Sequence, residues 1–390
     1  MRTPSHQRRL RRQMPMWLIL AGLGALAVVT GWLPSDVAYD IGITRAAPIL
    51  GFLVAVTVLA ELADIAGVFD IAAVWCARLA RGSTALLFAL TAVLATVTTI
   101  CMSLDTTAVL LTPVVLALTR RLGLSPLPFA FLVVWLANTA SLLLPVSNLT
   151  NLLALQHSNT STRAFAAHMV IPQLVAVTLT VAYLGIVFRR HLSGSYAAPD
   201  PVTPADRLTC AACALACAGF AVAIMAGVPP WLAATAAATA TLAVFALRGR
   251  KHLSWTLLPW RLIITTEGLF LTVTALVHHG LGDLLVRWSG GSGGRTTAVA
   301  AAASNLINNL PAYLAMETAV PQGNPNGVYP VLLGTNIGPL VTMWGSMATL
   351  LWAQRCRSRG VPISARTFAT VGIIGMPIVL LGTWLALPGR

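Results

Sequence analysis

Cys101-Met-Ser-Leu-Asp105-Thr-Thr107, running on to Thr112-Pro113, interrupts a long apolar stretch, and Ser304-Asn-Leu-Ile-Asn-Asn309, running on to Pro311, does the same later in the chain. A second interruption follows each. After the first come Asn138-Thr-Ala-Ser141 and Pro145-Val-Ser-Asn-Leu-Thr-Asn151; after the second come Thr335-Asn-Ile-Gly-Pro339 and Trp344-Gly-Ser346. One offset (336 − 138 = 198) aligns Asn138 with Asn336, Pro113 with Pro311, and Leu152-Leu153 with Leu350-Leu351. Lipid tolerates non-helical backbone only where it is buried in protein or lines a cavity. Two matched breaks at membrane depth therefore read as a solute site built by a repeat transporter.

The composition sets the frame. Hydrophobic residues make up 57% of the 390, charged residues only 9%, and the mean hydropathy is +0.80. Soluble domains carry about 25% charged residues, so the expectation is an all-α, polytopic membrane protein. The net charge of +14 would point to nucleic acid in a soluble protein. Here the arginines sit in short loops between apolar runs, as the positive-inside rule requires, and no nucleic-acid partner is expected. Arg8, Arg9, Arg11 and Arg12 precede the first run, giving a basic, cytoplasmic N-terminus over 1–15 and an uncleaved first helix.

The apolar runs are 16–33, 47–66, 84–101, 106–119, 127–155, 166–188, 208–228, 230–247, 260–279, 296–320, 328–353 and 366–387. Arginine placement threads them. Arg78 and Arg81 precede 84, and Arg120-Arg121 follow 119, so both ends of 84–119 belong in the cytoplasm. The stretch is too apolar to lie in water. A re-entrant hairpin with its tip at Ser103–Thr107 satisfies both facts, followed by a broken helix over 127–155. Arg189-Arg190-His191 closes a first repeat at 16–190, and the polar stretch 191–207 is a cytoplasmic connector. The second repeat, 208–390, places a hairpin at 296–320 between Gly-rich 289–294 and Pro321–Gly327, hence entering from outside. A broken helix over 328–353 returns to Arg355, Arg357 and Arg359, and the last span leaves the C-terminus outside. Hairpins entering from opposite faces predict two inverted-topology repeats. Gly67-Val-Phe-Asp70 and Gly280-Leu-Gly-Asp283 add a further echo.

Broken segments expose helix ends, whose amides carry partial positive charge and whose carbonyls carry partial negative charge. Thr106, Thr107, Ser304, Asn305, Asn308 and Asn309 at the tips can donate and accept hydrogen bonds. Asn138, Ser147, Asn148 and Asn151 are expected to face Thr335, Asn336, Gly338, Gly345 and Ser346. This set suits a small polar solute, neutral or anionic, with several oxygens. Single Thr or Asn side chains in membrane helices usually just bridge neighbours; the duplication of the clusters favours a site. Asp105 is the one carboxylate at either tip. An intramembrane acid is functional by default, and carrying a proton is its natural role, against a purely structural role capping the returning helix. Glu61 and Asp64 read either as interfacial charges or as weaker candidates for that role, and Glu267 stays open.

Cys210, Cys213 and Cys217 share a helical face, which fits a three-thiol site or, more simply, small-residue packing; Cys101 lies one turn before Asp105. His278-His279 has no third ligand nearby, so no metal site and no cofactor are expected.

Asp105-Thr-Thr-Ala-Val-Leu-Leu-Thr-Pro113, Thr139-Ala-Ser141 with Val146-Ser-Asn-Leu149, Asn308-Asn309 with Pro311, and Gly338-Pro339 through Gly345-Ser-Met-Ala-Thr-Leu-Leu-Trp352 resemble the arsenite permeases of the ArsB family. That family lies within the ion transporter superfamily, alongside sodium/dicarboxylate symporters and sodium/proton antiporters. The resemblance implies an elevator-type transporter of the inner (plasma) membrane that exports arsenite or antimonite against protons. It leaves an ATPase subunit and a second copy of the chain as optional partners, beside the lipid bilayer. The chain departs from the pattern at Asn138 and Asn336, where the family often has acids, near Leu340, where it has a lysine, and in lacking one N-terminal helix. Loss of those acids leaves Asp105 as the main proton candidate, and an uncharged site still fits neutral arsenous acid.

The rival reading is the same fold carrying sodium or a small carboxylate. The dicarboxylate branch carries Ser-Asn-Thr at both tips, whereas the first tip here reads Asp105-Thr-Thr107. An intramembrane enzyme is disfavoured because no His-Glu-x-x-His, paired membrane aspartates or Gly-x-Ser-x-Gly occurs.

Overall fold

A computed structural model describes residues 16–321 and 324–389, so the basic stretch 1–15 lies outside the described residues. Among the described residues the regular secondary structure is helical. Before the first hairpin come α1 (Met16–Val29), α2 (Ser35–Tyr39), α3 (Ala47–Ile65) and α4 (Val68–Leu79). A π-helical turn, Asp40–Ala46, joins α2 to α3. The first hairpin pairs α5 (Thr84–Cys101) with a return made of α6 (Leu104–Thr106), a π-helical turn Thr107–Leu111 and α7 (Thr112–Arg121). The first broken helix is α8 (Pro126–Thr139) and α9 (Leu149–Ser158), followed by α10 (Thr162–Val187) and α11 (Arg189–Leu192). Then α12 (Arg207–Met225), α13 (Pro230–Arg248), α14 (Trp260–Leu276) and α15 (Gly282–Ser289) lead to the second hairpin, α16 (Gly293–Ile307) and α17 (Asn309–Glu317). The second broken helix is α18 (Pro325–Ile337) and α19 (Met347–Ser358), and α20 (Ala365–Leu385) ends the fold.

Side-chain caps start many of these helices. Ser83, Ser161, Ser292 and Ser364 each accept from the amide three residues on, at 3.0–3.3 Å. Such caps satisfy amides that no intrahelical carbonyl reaches. Among the described residues, seven helical segments are long and apolar enough to cross a membrane; Ser35–Ile65 continues through its π-helical turn, whereas Trp255–Ser289 kinks at His279–Gly280. Their outer faces expose stripes such as Leu208, Leu215 and Val222 on α12 (66%, 74% and 68% exposed). Apolar area of that extent belongs against lipid. The core lies around α8, in which every residue from Pro128 to Thr139 is buried.

The Gly-x-x-Asp echo has a structural counterpart. Gly67 (φ 83°) and Gly280 (φ 98°) both adopt left-handed backbone, which glycine enters without a Cβ penalty. Each turns the chain from a long span into a short helix with Asp70 or Asp283 in its first turn. The order span, left-handed glycine, short helix, hairpin, broken helix, span thus occurs twice, as α3–α10 and α14–α20.

Loop contacts fall into two groups. In one, the connector docks on the turn before α5: Thr84 N donates to Gly194 O (3.2 Å), Tyr196 N to Gly82 O (3.0 Å) and Arg78 Nη1 to Pro199 O (3.1 Å). Asp206 pairs with Arg248 (2.7 Å), and the Arg120 guanidinium lies against Gly360. In the other group, Arg45 pairs with Glu317 (2.6 Å), His157 Nε2 contacts Val320 O (2.8 Å) and Arg163 Nε donates to Met225 O (3.3 Å). Both ends of the first hairpin belong to the first group, and the end of α17 belongs to the second.

Candidate functional site

All four interruptions are helix restarts with the same local chemistry. Ser103 Oγ accepts from Thr106 N (3.2 Å), Asn148 Oδ1 from Thr150 N (3.3 Å), Asn308 Oδ1 from Leu310 N (3.3 Å) and Ser346 Oγ from Thr349 N (3.1 Å). The two hairpin breaks share a rarer feature. Ser103 (φ 153°, ψ 166°) and Asn308 (φ 88°, ψ 153°) occupy backbone that is essentially reserved for glycine. Holding another residue there costs about 1–3 kcal/mol and marks a break fixed by its surroundings.

The first tip is sharper than the expected Ser103–Thr107. The chain reverses at Met102–Ser103, and Asp105 already lies in the first turn of the return. Ser103 caps that turn, so the capping role considered for Asp105 is filled by another side chain. The structural match between tips is Ser103 with Asn308 (308 − 103 = 205). The offset of 198 instead holds for the broken helices, whose breaks begin after Thr139 and Ile337 and whose caps are Asn148 and Ser346. Pro113 and Pro311 therefore sit at different depths of their hairpins, because the first return is the longer.

The first residues of all four restarts meet at one small cavity of about 40 Å³. Leu104 and Asp105 line it from the first hairpin, Asn148 and Leu149 from α9, Asn308, Asn309 and Leu310 from α17, and Met347 from α19. Leu262, Thr265, Thr266 and Leu269 of α14 close the wall. Helix N-termini with free donors favour an anion or an oxygen-rich neutral solute. A cavity of this size holds a few waters, at about 10–15 Å³ for each. Asp105 Oδ1 is buried and has no hydrogen-bond partner. A larger cavity of about 440 Å³, lined by Ser289, Thr296, Asn324 and Pro388 among others, touches none of the four breaks.

Of the residues singled out by sequence, Asp105, Asn148, Asn308 and Asn309 thus line the cavity. Thr106 lines a neighbouring cavity, again beside Asp105. The others spend their polar atoms on protein, except Asn138 Oδ1, which is buried without a hydrogen-bond partner. Asn305 Nδ2 donates to Ala301 O (3.0 Å) and Gly338 O (2.7 Å), and its Oδ1 accepts from Thr342 N (3.0 Å). Asn151 Nδ2 donates to Ser141 O (2.6 Å) and Leu144 O (3.1 Å), and Ser147 Oγ donates to Ile100 O (3.0 Å). Ser304 and Thr335 hydroxyls donate to Ala300 O and Val331 O of their own helices, while Thr107 Oγ1 sits 2.9 Å from Thr99 Oγ1. Ser346 holds Thr349, and Gly345 O accepts from Asn309 N (2.8 Å). A Cβ on Gly345 would lie 2.9 Å from Pro339 Cα, so the approach needs glycine. These bonds answer the demand that broken backbone at membrane depth be satisfied.

Two buried contacts are reciprocal. Asn138, at the end of α8, donates from Nδ2 toward Thr349 at the start of α19 (3.5 Å). Asn336, at the end of α18, donates from Nδ2 to Asn151 at the start of α9 (2.9 Å). Under the offset of 198 each contact maps onto the other. Asn336 Oδ1 also accepts from Asn148 Nδ2 (2.8 Å) and Thr150 Oγ1 (2.9 Å).

Sequence reading missed three participants. Gln173 of α10 satisfies the first break, accepting from Leu142 N (3.0 Å) and donating to Ala140 O (2.9 Å). Thr265 and Thr266 of α14 line the cavity. All three lie inside uninterrupted apolar runs with no local break to mark them. Cys213 Sγ lies 3.9 Å from Leu62 O, and among the described residues no cluster of three His, Cys, Asp or Glu could hold a metal. His279 Nε2 contacts Trp32 O at 2.9 Å, and its ring stacks on Trp32.

Interrupted helices converging on a cavity define a membrane transporter, and the comparisons agree. The citrate transporter family model matches residues 9–328. The arsenical pump membrane protein of Escherichia coli (strain K12) is 30% identical over 404 residues, covering 95% of this chain and 92% of that protein. That of Yersinia enterocolitica is 29% identical, covering 86% and 85%. The crystal structure of the Alcanivorax borkumensis YdaH transporter shares the fold, with a TM-score of 0.54 at 14% identity over 95% of this chain and 96% of that one. The chain is a secondary membrane transporter. It belongs to the citrate transporter family, among the ArsB-type permeases.

Proposed function

We propose that this transporter exports arsenite or antimonite in exchange for protons, by elevator-type alternating access. The observation that carries the reading is the cavity shared by all four helix restarts, with Asp105 as its one carboxyl group. A neutral oxygen-rich acid can bond to the asparagines and threonines of a wall that is otherwise leucine and methionine, and Asp105 supplies the group that exchanges a proton. Solute and proton then compete at adjacent places, and competition of that kind couples their opposite movements. The curated relatives named as arsenical pump proteins support the cargo. The match to the citrate transporter family supports the rival, a small carboxylate, but a cavity of about 40 Å³ favours the smaller solute.

The two groups of loop contacts support inverted repeats, since the first hairpin opens toward one group and the end of the second lies in the other. The arginine-rich group, with Arg78, Arg120 and Arg248, is assigned to the cytoplasm by the positive-inside rule. The N-terminus then lies inside and the C-terminus outside.

Everted membrane vesicles with an imposed pH gradient test the reading against arsenite, antimonite, sodium, succinate and citrate. Uptake of arsenite or antimonite is expected, with Asp105→Asn inserted normally but uncoupled. Movement of sodium or a carboxylate alone would overturn the cargo. Full coupling in Asp105→Asn would remove the role given to that residue.

A further inference from the structure

Asp105 lines two cavities rather than one. Beside the solute cavity lies a second, of about 100 Å³, bounded by Thr57 and Glu61 of α3 and by Ser103, Asp105 and Thr106 of the first hairpin. Its remaining wall is apolar, with Leu262 of α14 common to both cavities. A space of that size holds several waters, at about 10–15 Å³ each, and its hydroxyls can order them. Two acidic residues from different helices therefore line one pocket, whose other polar lining is Thr57, Ser103 and Thr106. Neither is committed elsewhere: among the described residues the ion pairs are Arg45–Glu317 and Arg248–Asp206.

The surroundings of Glu61 continue the line. Asp64 is the next acid on the same helix face, and Arg355 of α19 is an electrostatic neighbour of both. Arg359 and Asp70 act on Asp64. From α12, Cys213 Sγ lies 3.9 Å from the carbonyl of Leu62, the residue after Glu61. Residues 230–247 of α13 contain no ionisable side chain, and Arg261, next to Leu262, stacks over Trp260. The acids thus run from the solute cavity toward the arginine-rich loops.

We propose that Glu61 is the proton acceptor through which Asp105 exchanges with the cytoplasmic side; this rests on the proton-coupled reading above. Asp105 in its acid form releases a proton into the water of the second cavity, and the Glu61 carboxylate takes one up. The products are the Asp105 carboxylate and the Glu61 acid, with charge and protons conserved. Glu61 then gives its proton to Asp64 or to water at the loop, and returns to the carboxylate. Thr57 and Thr106 hold the intervening water. The arrangement lets the proton leave without crossing the solute cavity.

The test uses the full chain in proteoliposomes, with antimonite as the solute. Two rates are read: flux driven by a pH gradient, and self-exchange of antimonite at equal pH, which needs no net proton release. Glu61→Gln is expected to lower the driven flux about 100-fold, the scale of a lost proton-transfer group, while self-exchange stays at the wild-type rate. Glu61→Asp should recover most of the driven flux. A coupled wild type and an uncoupled Asp105→Asn, with driven flux in Glu61→Gln unchanged, overturn the relay and leave the parent reading intact. Equal loss of both rates in Glu61→Gln, unrelieved in Glu61→Asp, marks a structural role and also overturns it. A wild type whose antimonite flux ignores the pH gradient overturns both.

Discussion

Replacing Asn336 with Ala removes the side chain that ties the two broken helices together. Three side-chain hydrogen bonds go with it: those accepted from Asn148 and Thr150, and the one donated to Asn151. Asn336 is 0% exposed, so water does not replace them. Side-chain hydrogen bonds between membrane helices average about 0.6 kcal/mol and reach about 1.7. Three bonds therefore give a destabilisation of about 2 kcal/mol, with an upper bound of about 5. Asn138 is the internal control. It occupies the matching position but reaches Thr349 at only 3.5 Å and otherwise bonds to Val134 O of its own helix. Asn138→Ala should cost less than about 1 kcal/mol on the same scale. Thermal unfolding in detergent, followed by loss of the monodisperse peak, measures both variants. A double-mutant cycle of Asn336→Ala with Asn151→Ala isolates the direct bond, with an expected coupling of about 0.6 kcal/mol. Equal melting of the two single variants, together with zero coupling in the cycle, would refute the claim that this bridge joins the halves.

Packing and surface charge give two further expectations. A Cβ on Gly334 would meet Ala300 Cβ at 2.5 Å, where α18 crosses α16, whereas one on Gly185 meets nothing within 4 Å. Gly334→Ala should therefore cost about 1–3 kcal/mol and Gly185→Ala should not, as read by melting in detergent; equal melting of the two would contradict the close crossing. Asp206 is held below the usual carboxylate range, first by its bonds from Arg248 and then by Thr209. A lowered folded value means that its contribution is complete above the unfolded value of about 3.9 and fades only as pH falls below it. Wild type and Asp206→Asn should keep a constant difference in melting temperature from pH 8 to 5, converging only in stronger acid. Convergence already at pH 6 would contradict the assignment.

The repeated interruptions were legible because they are local. Pro, Gly, Asn and Ser inside apolar runs break helices whatever surrounds them, and helices are indeed interrupted between α8 and α9 and between α18 and α19. The tips were less legible. The offset drawn from Pro113 and Pro311 misaligned them, because a proline marks a tolerated position near a helix start rather than the turn itself. The turns fell at Ser103 and Asn308, where strained backbone is held by neighbours that no short window contains.

The role of each polar side chain was harder still. Asn305 and Asn309 read alike in sequence, yet one satisfies the backbone of α18 and its break while the other lines the cavity. Glu61 reads on its own helix either as an interfacial charge or as a weaker proton candidate, and only the tertiary structure brings it to the same cavity as Asp105. The sequence by itself determined that this is a membrane transporter with two pairs of interrupted helices, because hydropathy and helix breaking are properties of short segments. The tertiary structure alone decided which of the polar groups at those breaks are spent on backbone and which line the shared cavity. A hydrogen bond belongs to two partners, and here those partners are brought together by folding from positions far apart in the chain.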